Sequence, residues 1–165
     1  MPDGASRDPA RKILDLEAAR RWRRAARGAV VFTNGVFDVL HRGHVSMLAH
    51  ARAEGDALIV GVNTDASARR LVKGPGRPVN GERDRAFVLA ALESVDAVML
   101  FEEDTPGTLI EALEPDVLAK GADYRLEDIV GAEFVTRRGG RVVRVPLEPG
   151  ISTTDFLNKV TRGQT

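Results

Sequence analysis

Cysteine is missing from this chain of 165 residues. That removes disulfides, thiolate zinc sites and a cysteine nucleophile together, and leaves the redox compartment to be judged on other grounds. An excess of either charge is missing too. Lys plus Arg and Asp plus Glu number 24 each, so no net field draws the chain to nucleic acid or to an anionic membrane, and neither is expected as a partner. Long apolar runs are lacking: stretches such as Ala57 to Val62 fall far short of the ~20 residues a membrane-crossing helix needs. Met1 to Ala10 is polar and contains proline, with no apolar run behind a basic start, so it does not read as a secretory signal. The default expectation is a cytoplasmic protein. There is no internal repeat, no low-complexity tract, and no Gly-x-Gly-x-x-Gly after the first apolar strand, which argues against a dinucleotide-dependent oxidoreductase.

What is present is an ordinary globular composition, 43% hydrophobic and 29% charged, at a length suited to one domain with a proper core. Residues 1–28 read as an N-terminal tail and helix, and 29–165 as the domain itself. After a loose tail to Pro9, the residues Ile13, Leu14, Leu16, Ala19 and Trp22 recur at helical spacing, giving a basic amphipathic helix that ends near Gly28. The arginines Arg20, Arg21, Arg23 and Arg24 on it read as a solvated face. Beyond it the chain alternates. Apolar, β-branched runs at Ala29 to Phe32, Ala57 to Val62, Val95 to Phe101, Asp116 to Ala119 and Arg141 to Val145 are separated by helical patterns at Val45 to Arg52, Ala66 to Leu71, Arg83 to Leu92, Thr108 to Leu113, Val130 to Arg137 and Thr154 to Val160. Strands apolar throughout and separated by helices imply a five-stranded parallel sheet covered on both faces, a doubly wound, Rossmann-like α/β fold. Such sheets take ligands outside the carboxyl ends of their strands, where the winding reverses. The stretch Lys73-Gly74-Pro75-Gly76-Arg77-Pro78 reads as a mobile loop.

The first strand runs through Thr33-Asn34-Gly35-Val36-Phe37-Asp38 into Val39-Leu40-His41-Arg42-Gly43-His44, where a helix opens. A strand, a glycine-containing turn and a helix start make an anion site, because free backbone N–H groups and the helix dipole converge there. His41 and His44, three apart, can reach one phosphate chain, and Gly43 removes a side chain that would block close approach. The pair does not fit a zinc site. Cysteine is absent, carboxylates are scattered, and the spacing is not that of a metalloprotease. No protein-bound metal is expected. His50 reads as a structural or surface histidine.

These residues resemble the nucleotidyltransferase superfamily with a His-x-Gly-His motif, and within it the heptose 1-phosphate adenylyltransferases. The resemblance runs from about Ala29 to Val160. It rests also on Gly61-Val62-Asn63-Thr64-Asp65, Lys73-Gly74 through Arg77-Pro78-Val79-Asn80, Arg85, Glu102 to Pro106, Pro115 to Tyr124 and Ser152-Thr153-Thr154. Two positions depart from the family pattern. Gly121-Ala122-Asp123-Tyr124 stands for Gly-Gly-Asp-Tyr, and Arg83 stands where an acidic residue is usual, Glu82 being displaced by one.

The resemblance implies attack by a sugar 1-phosphate oxygen on the α-phosphorus of ATP, with Mg2+ carried mainly by the nucleotide phosphates, and a homodimer. It assigns catalysis to His41, His44 and Lys73. The nucleotide falls to Thr33, Asn34, Gly35, Phe37, Gly43, Lys120, Gly121, Ser152, Thr153 and Thr154, and the acceptor to Asp38, Asn63, Asp65, Arg77 and Arg85. Plainer roles stand beside these. Lys73 reads equally as a surface lysine, Arg85 as a partner of Glu82 or Asp84, Asp65 and Ser152 to Thr154 as helix caps, and Asp38 as a turn aspartate. Rival functions are a cytidylyl- or guanylyltransferase acting on another sugar phosphate or glycerol 3-phosphate, and, from another class, a nucleotide-sensing module that turns nothing over.

Overall fold

The computed structural model describes residues 8–71 and 74–163. Its centre is a five-stranded, wholly parallel sheet of β1 (Val30–Gly35), β2 (Ala57–Asn63), β3 (Ala97–Phe101), β4 (Val117–Gly121) and β5 (Arg141–Val145), in the order β3-β2-β1-β4-β5. This is the doubly wound arrangement expected from the sequence. The winding reverses between β1 and β4, which makes their carboxyl ends the place for a ligand.

The helices are α1 (Leu16–Ala25), α2 (Arg42–Arg52), α3 (Asp65–Leu71), α4 (Glu82–Ala90), α5 (Gly107–Leu113), α6 (Ala132–Arg137) and α7 (Thr153–Arg162). Because side chains alternate along a strand, each strand feeds two cores. Val31, Val60, Val62, Val117 and Ala119 join Leu48 of α2 and Leu89 of α4 in one. Val30, Phe32, Ile59 and Leu118 join Ala19 of α1, Ile110 of α5 and Val135 of α6 in the other. So α2 and α4 cover one face of the sheet, and α1, α5 and α6 the other.

Several boundaries move from their sequence positions. β1, β2 and β4 each run further toward the ligand end, to Gly35, Asn63 and Gly121, because their polar tips still pair in the sheet. β3 begins at Ala97 rather than Val95. α6 begins at Ala132 because Gly131 sits at φ 86, outside the helical region. Pro9, read as tail, opens a 3-10 turn over Pro9–Lys12. Ile13 then bridges Val98 in parallel along the outer edge of β3, Leu14 N donating to Val98 O at 2.8 Å. Asp15 caps α1, its side chain accepting from Ala18 N at 2.7 Å. No helix among the described residues is long and apolar enough to cross a membrane.

Candidate active site

β1 leaves the sheet at Gly35, and two residues later Phe37 holds the left-handed conformation at φ 50. A bulky residue there is strained, and such strain concentrates at functional turns. Its ring packs edge-on to His44, centroids 5.4 Å apart. A side chain on Gly35 would meet that ring at 3.0 Å. His41 caps α2, its Nδ1 accepting from Gly43 N at 3.1 Å. That role leaves the proton of a neutral ring on Nε2, free to donate outward. His41 and His44 stack, with centroids 3.8 Å apart and planes 20° from parallel. A Cβ on Gly43 would meet the His41 ring at 3.0 Å, so the glycine preserves the stack.

Both imidazoles titrate below the usual histidine range. His44 falls to about 4, through burial first and the neighbouring His41 second, with the Val39 backbone acting in the opposite direction. That carbonyl does not complete a hydrogen bond at Nδ1, which is buried and without a partner. Burial alone lowers His41. In the ligand-free protein at neutral pH the pair is therefore uncharged, a set of N–H donors rather than of cations.

Opposite the histidines, Ser152 caps α7, accepting from Asp155 N at 3.0 Å and donating to Asp155 Oδ2 at 2.7 Å. A cavity of about 270 Å3 lies between, lined by His41, Gly43, His44, Met47, Ser152 and Thr153 among others. Thr154 is exposed and does not line it. Glu148 does, accepting from Ser46 Oγ at 3.0 Å and pairing with Arg42 at 3.5 Å, which ties the loop before α7 to α2. Sequence reading passed over Glu148 and Met47. For Glu148 the one available signal was its position shortly ahead of the Ser-Thr-Thr stretch.

Four residues assigned to the acceptor bond to one another and to nearby backbone. Asp38 is buried, and its carboxylate accepts from Arg77 Nε at 2.7 Å, Val79 N at 2.7 Å and Asn80 N at 3.0 Å. Burial alone would raise its pKa, but these hydrogen bonds and the Arg77 charge outweigh it and hold the carboxyl below its ordinary value. The Arg85 side chain is wholly buried. It donates to Asn80 O at 3.0 Å, Val36 O at 2.6 Å and Asp65 Oδ1 at 2.8 Å. Its partner is thus Asp65, not Glu82 or Asp84. Glu82 instead accepts from Asp65 N at 2.6 Å, and Thr64 Oγ1 rather than Asp65 caps α3. Asp38, Arg77, Asp65 and Arg85 together lash residues 77–80 to the turn after β1. Lys73 lies outside the described residues.

The remaining assignments divide between the two faces of the sheet. Thr33, buried, follows Val31 toward α2. Gly121 follows Ala119, and a Cβ there would meet Leu147, which lines the histidine cavity, at 3.0 Å. Asn34, Asn63 and Lys120 follow Phe32, Ile59 and Leu118 to the other face. There they line a second cavity of about 410 Å3, with Leu71, Pro106 and Tyr124 among its walls. Lys120 Nζ stands 3.5 Å from Asn34 O and 5.3 Å from the Tyr124 ring centroid. Burial lowers its pKa to about 8, with Asp123 acting in the opposite direction. Among the described residues no group of three His, Asp or Glu could hold a metal ion.

A parallel sheet with its winding reversal at β1 and β4, and a stacked histidine pair at the helix entry beside it, make a doubly wound α/β domain with a candidate anion site at that entry. The chain belongs to the cytidylyltransferase-like family of nucleotidyltransferases, whose family model matches residues 32–159. It is 57% identical over 157 residues to the bifunctional protein HldE of Mesorhizobium japonicum, covering 93% of this chain and 31% of that protein. It is 56% identical over 154 residues to HldE of Caulobacter vibrioides, covering 90% and 31%. The chain thus spans about a third of the curated relatives it matches. Among solved structures it is similar to a lipopolysaccharide core biosynthesis protein from Thermoplasma volcanium, at TM-score 0.61 and 28% identity, covering 74% of this chain and 98% of that one.

Proposed function

We propose that this domain transfers the AMP moiety of ATP to the phosphate of D-glycero-β-D-manno-heptose 1-phosphate, giving ADP-heptose and pyrophosphate. A sugar-phosphate oxygen forms the new bond to the α-phosphorus as the bond to the bridging oxygen of pyrophosphate breaks. The observation that carries the reading is the stacked, uncharged pair His41 and His44, held at the start of α2 and facing Ser152 across a cavity. Identity above one half to HldE supports the heptose acceptor.

Such a transfer asks the protein for alignment and for stabilisation of charge on the moving phosphoryl group rather than for covalent chemistry. His41 and His44 donate to the triphosphate, joined by Gly43 N and the hydroxyls of Ser152 and Thr153. Lys73 adds a compact charge from the loop. Mg2+ fits as an ion carried by the phosphates: the Asp38 carboxylate is taken by Arg77, Val79 and Asn80, and Glu148 is already paired with Arg42 and Ser46. When bound, it offsets the charge of the departing pyrophosphate. The same reading includes a cytoplasmic homodimer, for which light scattering at micromolar concentration is the check.

The test is pyrophosphate release by the purified protein with Mg2+, each nucleoside triphosphate in turn and a panel of sugar 1-phosphates. Release is expected with ATP and heptose 1-phosphate. Release only with CTP and an alcohol phosphate would overturn the heptose assignment, and no release with any pairing would leave a nucleotide-sensing module.

A further inference from the structure

Three polar residues at the carboxyl ends of neighbouring strands share one face of the sheet, the face away from the histidines. Asn63 ends β2, Asn34 lies near the end of β1 and Lys120 near the end of β4. β2, β1 and β4 are adjacent, with Asn34 in register with Gly61. The row lines the cavity of about 410 Å3, a volume inside the ~300–1,000 Å3 typical of small-molecule sites. We infer that Asn34, Asn63 and Lys120 read the acceptor, recognising a polyhydroxylated sugar by its hydroxyls, and that Asn34 and Lys120 therefore belong to the acceptor rather than to the nucleotide. The inference rests on the adenylyltransferase reading.

Each member has unused capacity of the right kind. Asn63 Nδ2 donates to Ser67 Oγ at 2.9 Å, which in turn donates to Glu103 O at 2.9 Å. That chain fixes the amide and leaves its oxygen for an incoming donor. Asn34 Oδ1 is buried with no partner among the protein's own groups. Such an atom is costly to leave unsatisfied, so the amide is poised to turn toward a hydroxyl. Lys120 is the one cation lining this cavity among the described residues, against Asp104 and Asp128. A single ammonium amid amides and carboxylates suits hydroxyls and one anionic oxygen, not a triphosphate. Leu71, Pro106, Ile129 and Val130 supply apolar wall for the carbon face of a sugar ring. The row and the histidines project to opposite sides of β1, so an acceptor in this cavity and a triphosphate against His41 and His44 approach from two directions without competing for space.

Two measurements test the assignment. In steady-state assays, Lys120→Met and Asn63→Ser each raise KM for heptose 1-phosphate about tenfold, the scale of one lost charged or paired hydrogen bond, and leave KM for ATP unchanged. A KM for ATP that rises in step, or no change in either, overturns the assignment. Separately, in 15N-labelled wild-type protein, heptose 1-phosphate alone shifts the side-chain amide signals of Asn34 and Asn63, and a non-hydrolysable ATP analogue alone does not. The reverse pattern, or no shift with the sugar, overturns it. The titration needs neither turnover nor a variant that folds. If the wild type turns over no sugar phosphate, the adenylyltransferase reading falls while the titration still decides whether the row binds sugar.

Discussion

His41 and His44 lie ring on ring at 3.8 Å. Two imidazolium ions at that separation would repel strongly in a partly buried site, so the arrangement itself favours the neutral forms that burial also favours. Neutral rings can still donate to phosphate oxygens, and a triphosphate bound as proposed would draw protons toward the pair.

The first expected outcome concerns stability against pH without ligand. The native His44 resists protonation until about 4, whereas in the unfolded chain it takes up a proton near the ordinary 6.5. Its contribution is therefore fully present above 6.5 and is lost as pH falls from there toward 4. The depressed Asp38 carboxyl acts in the same direction at lower pH. Urea midpoints for wild type and His44→Asn, compared across that window, isolate the histidine: the wild type loses stability on acidification more steeply. Parallel curves would contradict the buried neutral ring.

Gly43→Ala is a second case. The added methyl group meets the His41 ring at 3.0 Å, and the ring, partly exposed at the mouth of the cavity, gives way. The fold survives while the stack is broken. Turnover is expected to fall between about 10- and 100-fold, the scale that misplacement of a phosphate contact produces, with little change in melting temperature. Stopped-flow pyrophosphate release and calorimetry check the two halves.

Arg85 behaves differently, because its guanidinium serves the fold. Arg85→Met strands Asn80 O, Val36 O and the Asp65 carboxylate, and removing one partner of a buried charged network costs about 3–5 kcal/mol. The melting temperature is expected to drop by on the order of 10 °C. Arg85→Lys recovers little of this, since one ammonium cannot serve three diverging acceptors. Thermal scans of both variants test it, and an unchanged melting point in Arg85→Met would remove the argument.

The last expectation follows Lys120, charged below about 8 and neutral above. Apparent affinity for the acceptor should weaken as pH rises through that value while affinity for ATP holds, and Lys120→Arg should move the break upward. Asp123, Asp104 and Asp128 are the carboxylates near it. Acceptor KM measured across the range is the check.

The sheet was legible in the sequence because apolar runs such as Ala57 to Val62 have no other stable use. The geometry of the histidine turn was legible because its residues are contiguous. The fate of Asp38, Arg77, Asp65 and Arg85 was not. Asp38 and Arg77 are 39 positions apart, Val36 and Arg85 are 49 apart, and nothing local distinguishes an arginine that clamps a loop from one that clamps a phosphate. Lys120 and Gly121 looked like one site because they are neighbours in the chain. In a strand, neighbours point to opposite faces, and only the strand order reveals what each face meets.

The bridge between Ile13 and Val98 reaches beyond the catalytic end of the molecule. An outermost strand with bare backbone groups invites another chain to pair with it, and β3 carries the apolar Ala97–Phe101. Residues 8–14 cover the start of that edge, and Lys12 fastens them by donating to Leu92 O at 3.2 Å and Val95 O at 2.7 Å. A chain cut back to 29–165 keeps every residue proposed to face a substrate, yet it bares this strand and the α5 surface under α1. Its failure would come as self-association during storage rather than as lost chemistry.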